Sequence, residues 1–423
     1  MGPDAVAIVQ GAGLVTRSAD THFPFRQDSD FWYLTGFGHP DATAVFRTTD
    51  KGPRYVLFVQ PRDRAAETWT GHRPGIEGAI AIYRADDAFE NGTLLDALPD
   101  ILAGARSLYH SFGRRAALDA KLIEIQDSFR LQSRRGVAPA AEFVDPRSIL
   151  HEMRVTKCES ELSIMRRAAE ISREGHQRAC AIIGSGRYEY EVEAALNATF
   201  RGRGASGPAY GSIVAGGANA AILHYVTNDR PLCAGELVLI DAGAELEGYA
   251  SDVTRTYPVD GRYEGAGRAV YDVVLAAQEA ALAAAKHGVT LPEIHALTIR
   301  RLVEGMVDLG LLAGSVDDLI ATEAYKPYYM HGTSHWLGLD VHDAGSYTQH
   351  GMPRPLVPGM VFTVEPGLYV AADDESAPES LRGIGVRIED DVAITAGGHE
   401  NLTRAIPKTP ADVEAWMGSR DGG

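Results

Sequence analysis

The chain has 423 residues, 45% of them hydrophobic and 23% charged, close to the globular average and long enough for two domains with separate cores. A formal charge of −17 at pH 7 argues against nucleic acid or an anionic membrane as a partner. Three cysteines, an odd number, fit free thiols in a reducing cytosol, and no apolar run reaches the roughly 18 residues of a membrane-spanning helix.

The first residues, MGPDAVAIVQ, lack the basic start and apolar core of a signal peptide, which makes the cytoplasm the expected compartment. Short strands are predicted at Ala5–Val9, Ala44–Phe46 and Tyr55–Val59, alternating with helices. Leu118, Leu122, Ile125 and Phe129 recur at helical spacing and form an apolar stripe. A polar stretch at Gln132–Gly136 and breaks at Pro139 and Pro146 then close a first domain, placed at 1–147, before a second at 148–423. Thr156 and Glu159 have capping-box spacing and are expected to open a long helix carrying Leu162, Met165, Ala169 and Ser172. Glycines crowd Gly202–Gly217, but neither GxGxxG nor a Walker lysine accompanies them, so this segment reads as turns and close backbone approach. Two long helices follow, Glu264–His287 and Pro292–Leu309, and β-structure runs to the end.

Chemistry concentrates in the second domain, in Asp241, Asp252, His335, Glu365 and Glu389. Four carboxylates and an imidazole suit two divalent cations that share oxygen ligands. Asp241 ends the apolar run 237–240, and Asp252 leads into Val253–Thr256. If the chain reverses near 246–248, the two aspartates are expected to face each other directly across a hairpin, roughly 4.5–5.5 Å apart at Cβ. Two like charges so placed repel unless a cation lies between them. A surface hairpin with solvated aspartates is the ordinary reading of that spacing alone. The other runs outweigh it. His331, His335 and His342 fall within twelve residues (331–342), without the intervening Glu of a helical zinc pair. Glu365 and Glu389 interrupt apolar β-runs, where a carboxylate is costly to bury unless paired or metal-bound. Arg387, two residues before Glu389, would share its face on a strand and could orient a carboxylate or form a surface ion pair.

The runs DAGAELEGYASDVTRT, HGTSHWLGLDVHD, VEPGLY and GIGVRIEDD, with Thr16–Phe37 and Ser148–Leu162 upstream, resemble the signatures of the pita-bread metallopeptidases, most closely the Xaa-Pro aminopeptidases. The resemblance covers nearly the whole chain. It implies a creatinase-like α/β N-terminal domain and a pita-bread α+β catalytic domain of curved antiparallel sheet backed by helices. It further implies two divalent ions, manganese first and cobalt, iron or zinc as alternatives. Asp241 would hold one ion, His335 and Glu365 the other, with Asp252 and Glu389 bridging. The implied reaction releases the first residue from peptides with proline second, through a hydroxide shared by the two ions. His224, His342 and His331 match active-site histidines that are not ligands, and Glu365 is the expected proton carrier. Trp69, in ETWTGHR, resembles a residue at the substrate entrance of a neighbouring protomer in a homodimer or homotetramer; a half-buried core tryptophan is equally compatible with the residue itself. Family members carry a helix before the first strand, whereas Ala5–Val9 already reads as strand, which leaves the subunit contacts of that segment open. A prolidase, restricted to Xaa-Pro dipeptides, is the nearest alternative. A non-enzymatic binding module of this fold would be expected to have lost ligands, and all five are present.

Overall fold

The run AVAIVQ forms a fully buried strand, Ala5–Gln10, inside a six-stranded sheet of the computed structural model, which describes residues 1–50 and 52–418. Alternation of side chains along the strand feeds two cores. Val6 and Ile8 pack with Val45, Phe58 and the helices Leu94–Leu102 and Ala116–Leu131, the latter burying the expected stripe of Leu118, Leu122, Ile125 and Phe129. Val9 packs on the opposite face with Ala44, Leu57, Phe31 and Phe37. The sheet is mixed. Ala5–Gln10, Thr43–Thr49 and Gly52–Val59 pair antiparallel, while Asp87–Glu90, Ser107–His110 and Glu142–Val144 join in parallel. Helices on both faces of a sheet give an α/β unit.

Two compact units are present, Met1–His151 and Glu152–Gly423. The division lies four residues past the expected 147 (151 − 147), inside the helix Arg147–Val155. Pro146 starts that helix, its carbonyl accepting from Leu150 N at 2.9 Å, because proline is tolerated where the first amides have no partner.

In the second unit the helix Glu159–Ile182 is capped two residues later than expected (158 − 156). Glu161 accepts from Cys158 N at 2.8 Å, so Cys158 occupies the cap position. Thr156 is instead bridged to Met360, and Lys157 N donates to Gly359 O at 2.8 Å, which keeps both residues extended. The helix buries Met165, Ala169 and Ser172. The glycine-rich segment is not turns throughout: Ile213–Gly216 is a buried strand paired with Leu237–Asp241, which pairs in turn with Thr254–Pro258. Further strands are Val361–Val364 against Asp390–Thr395, and Gly367–Tyr369 against Gly385–Arg387. Every strand pairing in this unit is antiparallel among the described residues. The helices Gly265–Ala284 and Leu291–Asp308 bury Val270, Val274, Leu302 and Met306 in one core with Val238 and Ile240 of the sheet. This is the pita-bread α+β arrangement. Among the described residues no helix is long and apolar enough to cross a membrane.

Candidate metal centre

The hairpin that carries the two aspartates turns at Glu247 and Gly248, with φ of 52° and 86°. Two consecutive left-handed residues make the two-residue turn that suits strand twist, and Gly at the second position relieves its strain. The turn pairs Leu246 with Tyr249 and fixes the register down to Asp241 opposite Thr254. Asp252 is therefore not directly opposed to Asp241. It lies two residues short of that partner, just ahead of the strand Thr254–Pro258, as a diagonal neighbour on the same face. The residue opposite Asp252 is Gly243, where a Cβ would sit 1.7 Å from Ser251 O, so only glycine admits this approach.

Strand ends deliver the remaining groups. Glu365 follows Val361–Val364, and Glu389 lies between Gly385–Arg387 and Asp390–Thr395. Asp241, Asp252, His335, Glu365 and Glu389, together with His224, His331, His342 and Arg387, line one cavity of about 660 Å³. Donor atoms of Asp252, His335 and Glu389 lie within 4.8 Å of one another, a spacing fit for a cation. His335 Nε2 is 3.3 Å from both Asp252 Oδ2 and Glu365 Oε1. Its Nδ1 lies 3.0 Å from Trp336 O, which fixes that nitrogen as the protonated one and leaves Nε2 free to bind. Arg387 is buried, not a surface ion pair. Its Nη2 donates to Asp241 Oδ2 at 2.6 Å, and its Nη1 to Tyr369 Oη at 3.2 Å. It orients Asp241, not the nearer-in-sequence Glu389.

Several supports were not legible in the sequence. Tyr210 Oη donates to Asp241 Oδ1 at 2.6 Å, and Thr254 Oγ1 to Glu389 Oε2 at 2.7 Å. Asp391 accepts from Asp252 N at 3.1 Å and from Ser251 Oγ at 2.9 Å, fastening the backbone beneath Asp252. The buried Glu189 carboxylate accepts from Gly216 N, Tyr225 Oη and Arg230 N, and so clamps both ends of the segment that carries His224. His331 Nε2 is 2.8 Å from Tyr369 Oη, and burial pushes its pKa down to about 4. Trp69 is 88% exposed on the helix Arg64–Thr70 and is not among the residues lining the cavity, so the core-tryptophan reading fails.

Burial, then mutual repulsion, raises the pKa of Glu389 well above the ordinary carboxylate value; burial likewise raises Asp241, and Glu365 from 4.5 to about 7. Burial disfavours the charged form of His335, yet Asp252 and Glu365 overcome it and raise that pKa from 6.5 to about 9. The set is an excess of negative charge that a divalent cation would neutralise. A carboxyl raised on folding holds more protons folded than unfolded, so stability falls as pH climbs from 4.5 to about 7. The His335 contribution is full below 6.5 and is lost as pH rises through about 9. Both run the same way. The metal-free protein is expected to melt lower at about pH 8 than at about pH 5, and added divalent ion to raise its melting temperature more at the higher pH. A gain independent of pH would contradict this electrostatic account.

Residues 163–396 match the profile of metallopeptidase family M24, and residues 1–109 that of the aminopeptidase P N-terminal domain. The chain is 44% identical over 418 residues to the Xaa-Pro aminopeptidase of Escherichia coli, covering 99% of this chain and 94% of the relative. The solved structure of Pseudomonas aeruginosa aminopeptidase PepP superposes with a TM-score of 0.97 at 46% identity, over 100% of this chain and 96% of that one. Zinc-substituted Escherichia coli aminopeptidase P in complex with product superposes with a TM-score of 0.96 at 43% identity, over the same shares.

Proposed function

The chain belongs to metallopeptidase family M24, and from that membership we propose that it is a divalent-metal-dependent aminopeptidase releasing the first residue from Xaa-Pro-Yaa peptides. The observation that carries this reading is the meeting of Asp252, His335 and Glu389 in a cavity that also holds Asp241, Glu365 and two exposed histidines. In this reading Asp252 and Glu389 would hold both cations, Asp241 one of them, and His335 and Glu365 the other. Manganese is the first candidate, since an oxygen-rich set with one imidazole is hard but adaptable. Two bound cations would supply Lewis acidity and water ionised near neutral pH.

The chain's own groups do the rest. His224 and His342 are exposed to the cavity, free to donate to the substrate carbonyl and its developing charge. Glu365, which lines the same cavity, can carry a proton to the departing proline nitrogen. That nitrogen has no N–H in the substrate, so a hydrogen bond available to other aminopeptidases is missing and ring shape must replace it. Leu223, Val226 and Val341 offer the cavity apolar walls for a pyrrolidine ring. The exposed Trp69 supports a homodimer or homotetramer in which a neighbouring subunit shapes the entrance. Acidic charge and an odd number of cysteines support the cytoplasm.

Product analysis on metal-loaded protein tests the reading. Release of the free first residue from Xaa-Pro-Yaa peptides is expected, with slower cleavage of Xaa-Pro dipeptides. Faster turnover of dipeptides, with tripeptides left intact, would make the protein a prolidase.

A further inference from the structure

Behind the histidine segment lies a buried ion cluster that the chemistry above does not use. Asp343, the residue after His342, has a side chain only 1% exposed and is not among the residues lining the cavity. Its Oδ2 accepts from Lys157 Nζ at 2.9 Å, and that lysine side chain is also 1% exposed. Its Oδ1 accepts from Arg154 Nη2 at 2.5 Å, and the same guanidinium nitrogen reaches Asp340 Oδ2 at 2.7 Å. The packing leaves no slack: a Cβ on Gly338 would sit 2.2 Å from Asp343 Oδ2 and 2.9 Å from Lys157 Cε.

Buried charges are expensive even when paired, and well-packed apolar residues of the same volume often serve stability equally well. A geometric role is visible here. Asp343 N donates to Trp336 O at 2.8 Å, and Trp336 O is also the carbonyl on which His335 Nδ1 rests at 3.0 Å. One carbonyl thus ties the backbone next to His342 to the ring of His335. The two imidazoles stand with centroids 4.3 Å apart and planes at 70°. Lys157 is itself anchored, its amide donating to Gly359 O at 2.8 Å.

We propose that Lys157, Asp343 and Arg154 are positioning residues of the reaction, holding Asp343 on the Trp336 carbonyl and thereby setting His342 against His335. The proposal rests on the role given to His342 above. A double-mutant cycle on the full-length, metal-loaded protein separates the two. Lys157→Met removes the charge and keeps the stem. It is expected to lower kcat by about 10- to 100-fold, the usual effect of a group supporting an active-site residue, with KM changed less than about threefold. In a His342→Ala background the same substitution is expected to change kcat by less than about threefold, because its effect passes through the missing imidazole. If Lys157→Met alone fails to fold, Lys157→Met with Asp343→Leu, which leaves this pair uncharged, takes its place in the cycle. Full turnover in Lys157→Met, or an equal loss of kcat in both backgrounds, overturns the positioning role while leaving His342 in the mechanism. Full turnover in His342→Ala alone removes the reading on which the proposal stands, and the proposal with it.

Discussion

Replacing Asp252 by Asn is expected to abolish turnover and lower the bound metal, and to do so more severely than replacing Asp241 by Asn. Asp252 belongs to the group whose donor atoms lie within 4.8 Å of one another, and in the proposed centre it serves both cations. Its amide is held by Asp391, so the substitution removes charge while leaving the backbone in place. Asp241 is different. Its two oxygens already accept from Tyr210 and Arg387, which keep its position and share its charge. A bound cation supplies several kcal/mol of transition-state stabilisation, and at about 1.4 kcal/mol per factor of ten its loss is at least about a thousandfold in rate. Metal content and kcat/KM measured on the same preparations check this. An Asp252→Asn protein that loads metal normally while Asp241→Asn does not would reverse the assignment.

The second large effect belongs to histidines that the proposal keeps off the metal. His224→Ala and His342→Ala are expected to leave metal content nearly normal and to lower kcat by roughly a hundred- to a thousandfold each, the loss typical of one donor to developing charge. Such a donor acts in the transition state, so KM moves little. Both side chains are exposed to the cavity, so truncation should shift stability by about 0.5 kcal/mol or less, unlike a packed core histidine. The buried His176 provides the contrast: its ring nitrogens sit 3.0 Å from Tyr257 Oη and from Ala242 O, and its loss would be felt in folding. Melting temperature and specific activity of the folded fraction separate the cases. Unchanged turnover in a folded, metal-loaded His342→Ala protein would take it out of the mechanism.

Much of the centre was legible because its groups break local rules. Glu365 and Glu389 sit where apolar β-runs make a carboxylate expensive, and three histidines within twelve residues are hard to explain by packing (331–342). The structure brings nine of the ten expected site residues together in one cavity, Trp69 being the exception. The hairpin register was missed by two residues, since it depends on which two positions adopt positive φ, and LEG at 246–248 allows either neighbouring turn. The helix cap was misplaced for a tertiary reason: Thr156 and Lys157 are held in extended pairing by Met360 and Gly359, more than 200 residues away (360 − 156 = 204). Tyr210, Glu189, Asp391 and Lys157 could not be found from sequence. Each is an ordinary residue locally and becomes a support only through contacts at long range, such as Tyr210 on Asp241 and Asp391 on Asp252. Strand spacing would put Arg387 on the face of Glu389, but the strand ends at Arg387, and its guanidinium meets Asp241 instead.

Counting the ions tests the central claim most directly. Metal analysis of the purified protein, saturated with manganese and freed of excess, is expected to give two divalent ions per chain, with anomalous diffraction placing both between Asp252 and Glu389. At most one ion per chain at saturation, in a protein that still cleaves Xaa-Pro-Yaa peptides at full rate, would contradict the dinuclear centre.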